Sequence, residues 1–297
     1  MPEAKTSQII YSSDLHGDLD LYSELFALVE NAGAEALILG GDLMPRDGVF
    51  YGITESQREF IFGHLNPAFA ALRRRLPNLR VYLMMGNVDW AVNMDALEAA
   101  ESEGLYSLLH MRSHGLTNGW FIAGYSCVPP TPFVIKDWDR RDLADRPGPI
   151  GRLYHGSSNL PNSIEEDLQI LAGLSDPRRT VYVMHAPPHA TYLDSLSDHR
   201  AIGSLAIRRF IEKHQPPLTL HGHIHESPSV TGYYWDQLGR TLSINPGQNT
   251  WRAGAARLHA VGFNLEAPRE TLWHTLYGSA RMSAPTTTKN RSGNLHR

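Results

Sequence analysis

The feature that most constrains the fold of this chain is a series of short apolar runs that each end in glycine or a polar residue. Within each run the apolar residues are continuous rather than alternating, which is typical of β-strands that are buried on both faces. Helical patterns separate the runs, and this βαβ rhythm predicts an α/β fold with a parallel sheet. The runs cover residues 7–14, 35–42, 78–87, 179–185 and 217–223.

Three segments between the runs carry apolar residues at helical spacing. Residues 18–33 place Leu21, Leu25 and Val29 on one face and reach Gly33, a residue that commonly stops a helix. We therefore predict a helix over this segment. The other predicted helices cover about residues 55–75 and residues 204–215, and Pro216-Pro217 end the latter.

The last part of the folded chain has a different pattern, because glycine turns of the kind found in hairpins join its apolar segments. This pattern predicts antiparallel strands and, from them, a second sheet that packs on the first. The segments cover residues 229–247, 256–266 and 270–278.

We interpret residues 1–279 as one domain and residues 280–297 as a flexible tail, because the tail is polar and poor in bulky apolar side chains. Residues 127–162 are rich in proline, glycine and charge and are too long for a plain connection. They are predicted to form a cap-like insertion over the functional site.

Charge and cysteine content limit the classes of function. The formal net charge is -4 at pH 7, so long-range electrostatics does not favour stable nucleic-acid binding. Cys127 is the single cysteine and cannot form an intramolecular disulfide. The chain start lacks the features of a secretory signal and no window is apolar enough for a membrane span, so we expect a cytoplasmic protein without membrane association. The oligomeric state stays open.

Polar side chains follow all five apolar runs at their carboxyl ends, where ligand sites form in parallel sheets. In the pairs Asp14/His16 and His223/His225 both side chains point the same way if the backbone stays extended. Each residue alone also fits a helix cap or a turn, but seven in order indicate one centre. The seven candidate metal ligands are Asp14, His16, Asp42, Asn87, His185, His223 and His225.

So many lone pairs without a cation would be costly, which favours bound metal. A mixture of imidazole, carboxylate and amide ligands without thiolate suits borderline ions such as Mn, Fe, Zn or Ni. Seven ligands exceed the needs of one tetrahedral ion and fit two divalent or trivalent ions that share a carboxylate. Asp42 is the natural bridge between them and thus a predicted catalytic residue.

The ordered series DLH, GGD, GN, H and GHIH resembles the calcineurin-like metallophosphoesterase superfamily over residues from about 8 to 250. The resemblance implies a four-layer αββα sandwich of two mixed β-sheets, in agreement with the two sheets predicted above. It further implies one metal held by Asp14, His16, Asp42 and His225, and a second held by Asp42, Asn87, His185 and His223.

Val88 departs from the family pattern, in which a histidine after the asparagine contacts the phosphate and protonates the leaving oxygen. Valine can do neither, and Asp89, which in the family orients that histidine, lacks its usual partner. Either another acid substitutes or the leaving group needs little help. His189 and His221 are the candidate acids, although each also fits a loop or strand-end histidine.

Substrate contacts are predicted for Asn87 and for the arginines of the insertion, above all Arg140 and Arg141, because guanidinium groups match phosphate oxygens. A charge run is also typical of a solvated face. Further candidates are Lys136, Arg146, Arg152 and Phe133.

The sequence therefore predicts a dinuclear hydrolase that cleaves phosphodiesters of small molecules or nucleotides by attack of a metal-bridging hydroxide. A metallo-β-lactamase-like site is a competing interpretation of His221, His223 and His225. That pattern expects Asp-His next, however, and the chain has Glu226-Ser227. The other alternative is a non-catalytic or nearly inactive metal-binding scaffold of the same fold.

Overall fold

The computed structural model of the chain describes residues 8–46, 53–133, 135–148, 152–153, 162–248 and 257–279. The predicted tail at 280–297 and part of the predicted insertion lie outside the described residues. None of the helices in the described ranges is both long and apolar enough to cross a membrane.

The described residues form strands and α-helices in an alternating order over much of the chain. The strands are β1 (Gln8–Ser12), β2 (Ala36–Leu39), β3 (Arg80–Leu83), β4 (Ser107–Leu108), β5 (Ser113–Gly115), β6 (Phe121–Tyr125), β7 (Ile135–Lys136), β8 (Arg152–Leu153), β9 (Thr180–Met184), β10 (Leu218–Leu220), β11 (Trp235–Leu238), β12 (Thr241–Ile244), β13 (Ala260–Asn264), β14 (Trp273–His274) and β15 (Gly278–Ser279). The α-helices are α1 (Leu19–Asn31), α2 (Ile53–Phe60), α3 (Asn66–Arg75), α4 (Met94–Ser102), α5 (Ile164–Ala172), α6 (Leu205–His214), α7 (Ser227–Thr231) and α8 (Pro268–Thr271).

Two large mixed sheets contain most of these strands. The first has the order β15-β14-β13-β1-β2-β3-β4, with β1 to β4 parallel. The second has the order β11-β12-β10-β9-β6-β5, in which β12, β10, β9 and β6 are parallel and the two edge strands are antiparallel. All five strands predicted from the continuous apolar runs are present, as β1, β2, β3, β9 and β10.

The second sheet is built differently from the prediction. We expected the C-terminal strands to form it, but only β11 and β12 belong to it, next to the parallel strands β6, β9 and β10. Strand β13 instead pairs antiparallel with β1 along its whole length, from Gln8↔Asn264 to Ser12↔Ala260. The chain therefore returns to the first sheet because the edge of β1 away from β2 offers free hydrogen-bonding groups.

The core explains why the predicted strands are apolar on both faces. Ile9 and Tyr11 of β1 belong to a buried cluster that joins the two sheets, whereas Ile10 between them packs in the cluster that contains the helices. On the second sheet Val183 faces the other sheet and Tyr182 faces Phe210 of α6. The result is helix, sheet, sheet and helix in four layers, which confirms the predicted αββα sandwich.

The three predicted helices are present, with caps that explain their bounds. Asp18 accepts hydrogen bonds from the first turn of α1, and Ser204 does the same for α6. The segment 53–75 is helical throughout but has a π-helical turn at Ile61–Leu65 between α2 and α3. Helix α5, which we did not predict from the sequence, begins with a capping box formed by Ser163 and Glu166.

The part of the predicted insertion from 136 to 143 is fixed to the body of the domain by buried charges. Lys136 and Asp139 form an ion pair of 2.9 Å, and both are almost fully buried. Arg140 pairs with Asp167 of α5. The carboxylate of Asp142 accepts the backbone N–H of Leu205 at 2.8 Å and so caps α6. Arg140 and Asp142 thus join this part of the segment to α5 and α6.

Candidate metal centre

The seven predicted ligands lie where the carboxyl ends of the two sheets meet. Asp14, Asp42 and Asn87 follow β1, β2 and β3 of the first sheet, whereas His185 and His223 follow β9 and β10 of the second. We expected all five strand ends on one sheet edge. The structure divides them between two edges, which face each other because the sheets are stacked.

The backbone at the site is turned rather than extended. Strand β1 ends at Ser12, and φ is 61° at Asp14, 47° at His16, 52° at Asp42 and 65° at His223. This left-handed conformation is uncommon for residues other than glycine and is found in strained functional sites. The side chains therefore converge through tight turns, and not through the alternation of an extended strand that we expected for the two i, i+2 pairs.

Glycines allow the two sets of turns to approach each other. A Cβ atom on Gly86 would lie 2.3 Å from Oδ1 of Asp42, and one on Gly222 would lie 2.4 Å from Oδ2 of Asp14. Neither position can hold a side chain without displacing a carboxylate. The glycines of the GN and GH motifs are thus required by close packing around the two aspartates.

One group of four residues is compact enough to hold a metal ion. The candidate ligand atoms of Asp14, His16, Asp42 and His225 all lie within 4.8 Å of one another. Nε2 of His16 is 3.1 Å from Nε2 of His225, and the latter is 3.2 Å from Oδ1 of Asp14. Two imidazole nitrogens and two carboxylates thus point at one centre.

The remaining ligands gather around the amide of Asn87. Its Oδ1 lies 2.7 Å from Nδ1 of His223 and 3.1 Å from Nε2 of His185. Nε2 of His185 is also 3.5 Å from Oδ1 of Asp42. The other ring nitrogen of His185 donates to the carbonyl of Gly40 at 2.8 Å, an arrangement that fixes the ring and turns Nε2 to the centre.

Electrostatics at the centre reflects two buried carboxylates. Burial alone would raise the pKa of Asp14, but the adjacent His225 and His185 lower it to about 2. Burial opposes the charge of His185, yet the carboxylates of Asp42 and Asp14 raise its pKa to about 9. The aspartates therefore attract positive charge strongly enough to hold a proton on a buried imidazole, and a metal ion would take the place of that proton.

Two other imidazoles stay neutral. Burial is the main cause that lowers the pKa of His16 and that of His223 to about 3. Neutral imidazoles have the lone pair that a metal ion needs. The donor set of carboxylates, neutral imidazoles and one amide oxygen therefore fits borderline transition-metal ions.

Asp89 has a different partner from the one implied by the family resemblance. Its buried carboxylate accepts hydrogen bonds from the backbone N–H groups of Leu43 at 2.9 Å, Met44 at 2.9 Å and Gly86 at 2.9 Å. Burial and the charge of Asp42 raise the pKa of Asp89 to about 7, whereas these three donors favour the carboxylate. Asp89 thus joins the turn after β2 to the turn after β3, without any need for a histidine at position 88.

Three residues that we did not single out in the sequence hold the other side of the turn after β3. Trp138 donates its indole N–H to the carbonyl of Asp89 at 2.8 Å, and Asp137 accepts the N–H of Ala91 at 2.9 Å. Gln57 of α2 donates to the carbonyl of Val88 at 2.7 Å. No local sequence signal marks these residues, since each acts across at least 31 positions of the chain.

The two candidate acids are not equally placed. His221 is fully buried, its Nδ1 lies 2.9 Å from the carbonyls of Met184 and Ala186, and its Nε2 is 2.8 Å from Oγ1 of Thr219. Both ring nitrogens of His221 thus have partners inside the domain, and its role as an acid stays a prediction. The side chain of His189 is 33% exposed and its Nδ1 lies 3.6 Å from Oδ2 of Asp194.

The two candidate arginines also differ. Arg140 is 3% exposed and its guanidinium is paired with Asp167, which in turn accepts the hydroxyl of Tyr125 at 2.7 Å. Its charge is thus paired inside the domain, and phosphate binding by Arg140 stays a prediction. The backbone carbonyl of Arg141 accepts the N–H of Ile164, the first residue of α5, at 2.9 Å. The charge of Arg141 helps to lower the pKa of Glu166, after the larger effect of the Ser163 hydrogen bonds.

Arg46 is a cation near the centre that we did not predict from the sequence. Its charge lowers the pKa of His16 and that of Asp42, after larger contributions from burial and from groups inside the cluster. Arg46 follows Asp42 by four residues, at the end of the turn that carries this ligand. The spacing of Arg46 from Asp42 was therefore the sequence feature that could have indicated a cation near the centre.

Comparison with known families assigns this centre to a family. The model of the calcineurin-like phosphoesterases matches residues 7–227, which include all seven predicted ligands. The chain belongs to the calcineurin-like phosphoesterase family. Membership of this family supports a metal-dependent phosphoester hydrolase. The group of four residues that can hold a metal ion agrees with this assignment. A comparison with curated proteins found no match.

Solved structures show the same fold at low sequence identity. The crystal structure of TT1561 of Thermus thermophilus has a TM-score of 0.61 and 17% identity, and the match covers 91% of this chain and 98% of that one. A dimetal phosphatase from Danio rerio has a TM-score of 0.53 and 12% identity over 88% of this chain and 93% of that one. These likenesses support the calcineurin-like phosphoesterase fold of the chain.

We predict that Asp89→Asn destabilises the protein and weakens metal retention. The carboxamide would present an N–H group to backbone donors, and each unsatisfied buried group costs about 1–3 kcal/mol. Urea denaturation and elemental analysis after dialysis measure the two effects. Asp95→Asn is the matched control, because Asp95 pairs with Arg58 at the surface and should change neither quantity. Equal behaviour of the two variants would contradict the joining role of Asp89.

Proposed function

We propose that the protein is a dinuclear phosphodiesterase that uses all seven predicted ligands. The observation that supports this most directly is the position of Asp42 between the two groups. Its Oδ2 lies 3.8 Å from Nε2 of His16 and its Oδ1 lies 3.5 Å from Nε2 of His185. A single carboxylate can therefore serve both groups, with Asp14, His16 and His225 on one side.

Two transition-metal ions such as Mn, Fe, Zn or Ni would supply an activated water for in-line attack on phosphorus and would neutralise the phosphoryl oxygens. The chain contributes two carboxylates and five neutral ligands, so the loaded centre keeps a positive charge that attracts a phosphate ester. Asn87 adds an oxygen ligand without adding negative charge, and we propose that it also lies against the phosphoryl group. The proposed substrates are phosphate esters of small molecules or nucleotides.

We further propose that Arg46 contacts the phosphoryl group. Arg46 is a cation whose charge contributes to lowering the pKa of both His16 and Asp42, and a guanidinium near the centre favours the approach of an anion. Arg141 is a second candidate for this contact, and its observed partners, Glu166 and the N–H of Ile164, belong to α5.

The environment of position 88 supports diesters with good leaving groups as substrates. The backbone N–H of Val88 donates to Oδ1 of Asp42 at 2.9 Å, but its side chain cannot donate a proton. His221 has both ring nitrogens engaged inside the domain. His189 is therefore the remaining acid candidate of the two predicted from the sequence, and its separation from Asp194 leaves its ring partly solvated.

The first test of the proposed function is metal stoichiometry together with a screen of mono-, di- and cyclic phosphate esters. We expect elemental analysis after reconstitution to approach two ions per chain. Because Asp42 lies between the two groups, Asp42→Ala should lower the occupancy of both, whereas His16→Ala should mainly lower one. A maximum of one ion in the unmodified protein would exclude the shared carboxylate.

Arg46→Met should lower kcat/KM for a phosphodiester by roughly 10- to 100-fold, because hydrogen bonds to charged groups contribute about 1.5–3 kcal/mol. Metal content should stay unchanged, since Arg46 is not among the ligands. Steady-state kinetics measures the effect, and Arg141→Met is the parallel variant that removes a guanidinium from the predicted insertion. A loss with Arg141→Met but not with Arg46→Met would assign the phosphate contact to the predicted insertion.

The rate should depend steeply on leaving-group pKa across a series of aryl phosphodiesters, because no side chain at position 88 neutralises the departing oxygen. General acids are worth about 10²- to 10⁴-fold, so Val88→His should make the dependence shallower if metal content is retained. A flat dependence in the unmodified protein, with chemistry shown to limit the rate, would assign proton donation to another residue. His189→Gln would then be the variant that restores the steep dependence.

A further inference from the structure

A cavity outside the metal centre lies beside the chain segment that leads into Asn87. Its volume is about 250 Å³. Three methionines, a leucine and a tryptophan form most of its wall, together with one imidazole. These residues are Met84, Met85, Met94, Leu108, Trp138 and His110. None of them belongs to the seven predicted ligands, so the cavity is a separate feature of the domain.

His110 supplies one hydrogen-bond donor to this apolar wall. Its Nδ1 accepts the backbone N–H of Ser126 at 3.0 Å, so the hydrogen of the neutral ring is on Nε2. Burial, with smaller contributions from Arg140 and Arg112, lowers the pKa of His110 to about 3, and the ring is therefore neutral at physiological pH. Within the described ranges no acceptor lies at hydrogen-bond distance from Nε2.

The charged residues at the cavity are already paired. The guanidinium of Arg112 lies 3.0 Å from the carboxylate of Glu98 and 2.6 Å from that of Glu101. A charged ligand would therefore find no free counter-charge on Arg112 or Glu98, the two ionic residues of the wall. The complementary ligand is uncharged.

Two walls of the cavity are held in place without a ligand. The indole N–H of Trp138 donates to the carbonyl of Asp89, and the ring of Trp138 lies edge-on to His110 at 4.7 Å. His110 also stacks on Tyr125 at 5.6 Å. A preformed wall lowers the entropy cost of binding, while flexible methionines adapt to the outline of an aromatic ring.

We propose that this cavity is a binding site for an uncharged one- or two-ring aromatic molecule with one hydrogen-bond acceptor, which takes the N–H of His110. The volume lies just below the usual range for small-molecule sites, which limits the ligand to this size. The methionines and Leu108 contact the ring faces, and Trp138 contacts an edge. The proposal does not depend on the catalytic activity of the metal centre.

A pair of matched probes tests the proposal on the unmodified protein by isothermal titration calorimetry. Quinoline and naphthalene have the same shape, but only quinoline carries an acceptor. We expect quinoline to bind with a Kd of about 1 mM or below and roughly three- to tenfold more tightly than naphthalene. No quinoline binding, or equal binding of the two probes, would overturn the proposal.

Two variants locate the site. Met94→Trp should fill the cavity and weaken quinoline binding by roughly tenfold or more, whereas Ile170→Trp adds the same side chain on an exposed face of α5 and should have no effect. His110→Phe keeps a ring at this position and should abolish the preference for quinoline over naphthalene. Thermal unfolding checks that each variant is folded. Unchanged quinoline binding in Met94→Trp would place the probe elsewhere and refute the cavity as its site.

Discussion

The structure around the centre depends on keeping three buried carboxylates within one small volume. Asp14, Asp42 and Asp89 are each at most 1% exposed, and burial together with the charge of Asp42 raises the pKa of Asp89. Their mutual repulsion must be balanced locally, since water cannot screen it. Imidazoles balance Asp14 and Asp42, while backbone N–H groups balance Asp89.

The strained backbone and the close glycines follow from this constraint. A carboxylate that must face both an imidazole and backbone donors needs a sharp turn directly after its strand, which is the left-handed conformation seen at Asp14 and Asp42. The backbone N–H of His223 donates to both oxygens of Asp14 at 3.1 Å. Asp14 therefore links the first sheet to the second, in addition to being a predicted metal ligand.

The turn after β3 shows how a missing histidine is tolerated. With valine at position 88 the turn keeps its shape, because Asp89, Gln57 and Trp138 hold its backbone rather than its side chains. The position of Asn87, a predicted ligand, therefore does not depend on whether position 88 carries a general acid. The backbone of this turn can therefore persist when the side chain at position 88 changes, which is consistent with the proposed preference for esters whose leaving groups need little assistance.

The fold and the convergence of the candidate ligands could be predicted from the sequence because both leave periodic or ordered local signals. Continuous apolar runs mark strands that are buried on both faces, and the polar residue that ends each run marks the ligand edge. Helix α1 is a further example, since its apolar face and its Asp18 cap are both local features. Helix α5 was missed because it follows directly on an irregular segment that masks its start.

The sequence by itself determined the fold and predicted the set of candidate ligands. Only the tertiary structure decided how charges are paired and where strands are added. In the sequence Lys136 and Arg140 cannot be distinguished from solvated cations. Their partners, Asp139 and Asp167 respectively, are apparent only in the folded structure. The return of β13 to β1 and the burial of His221 depend likewise on contacts between distant residues. Local patterns fix the periodicity of an element, whereas the partner of a buried charge or of a strand edge is set by long-range packing.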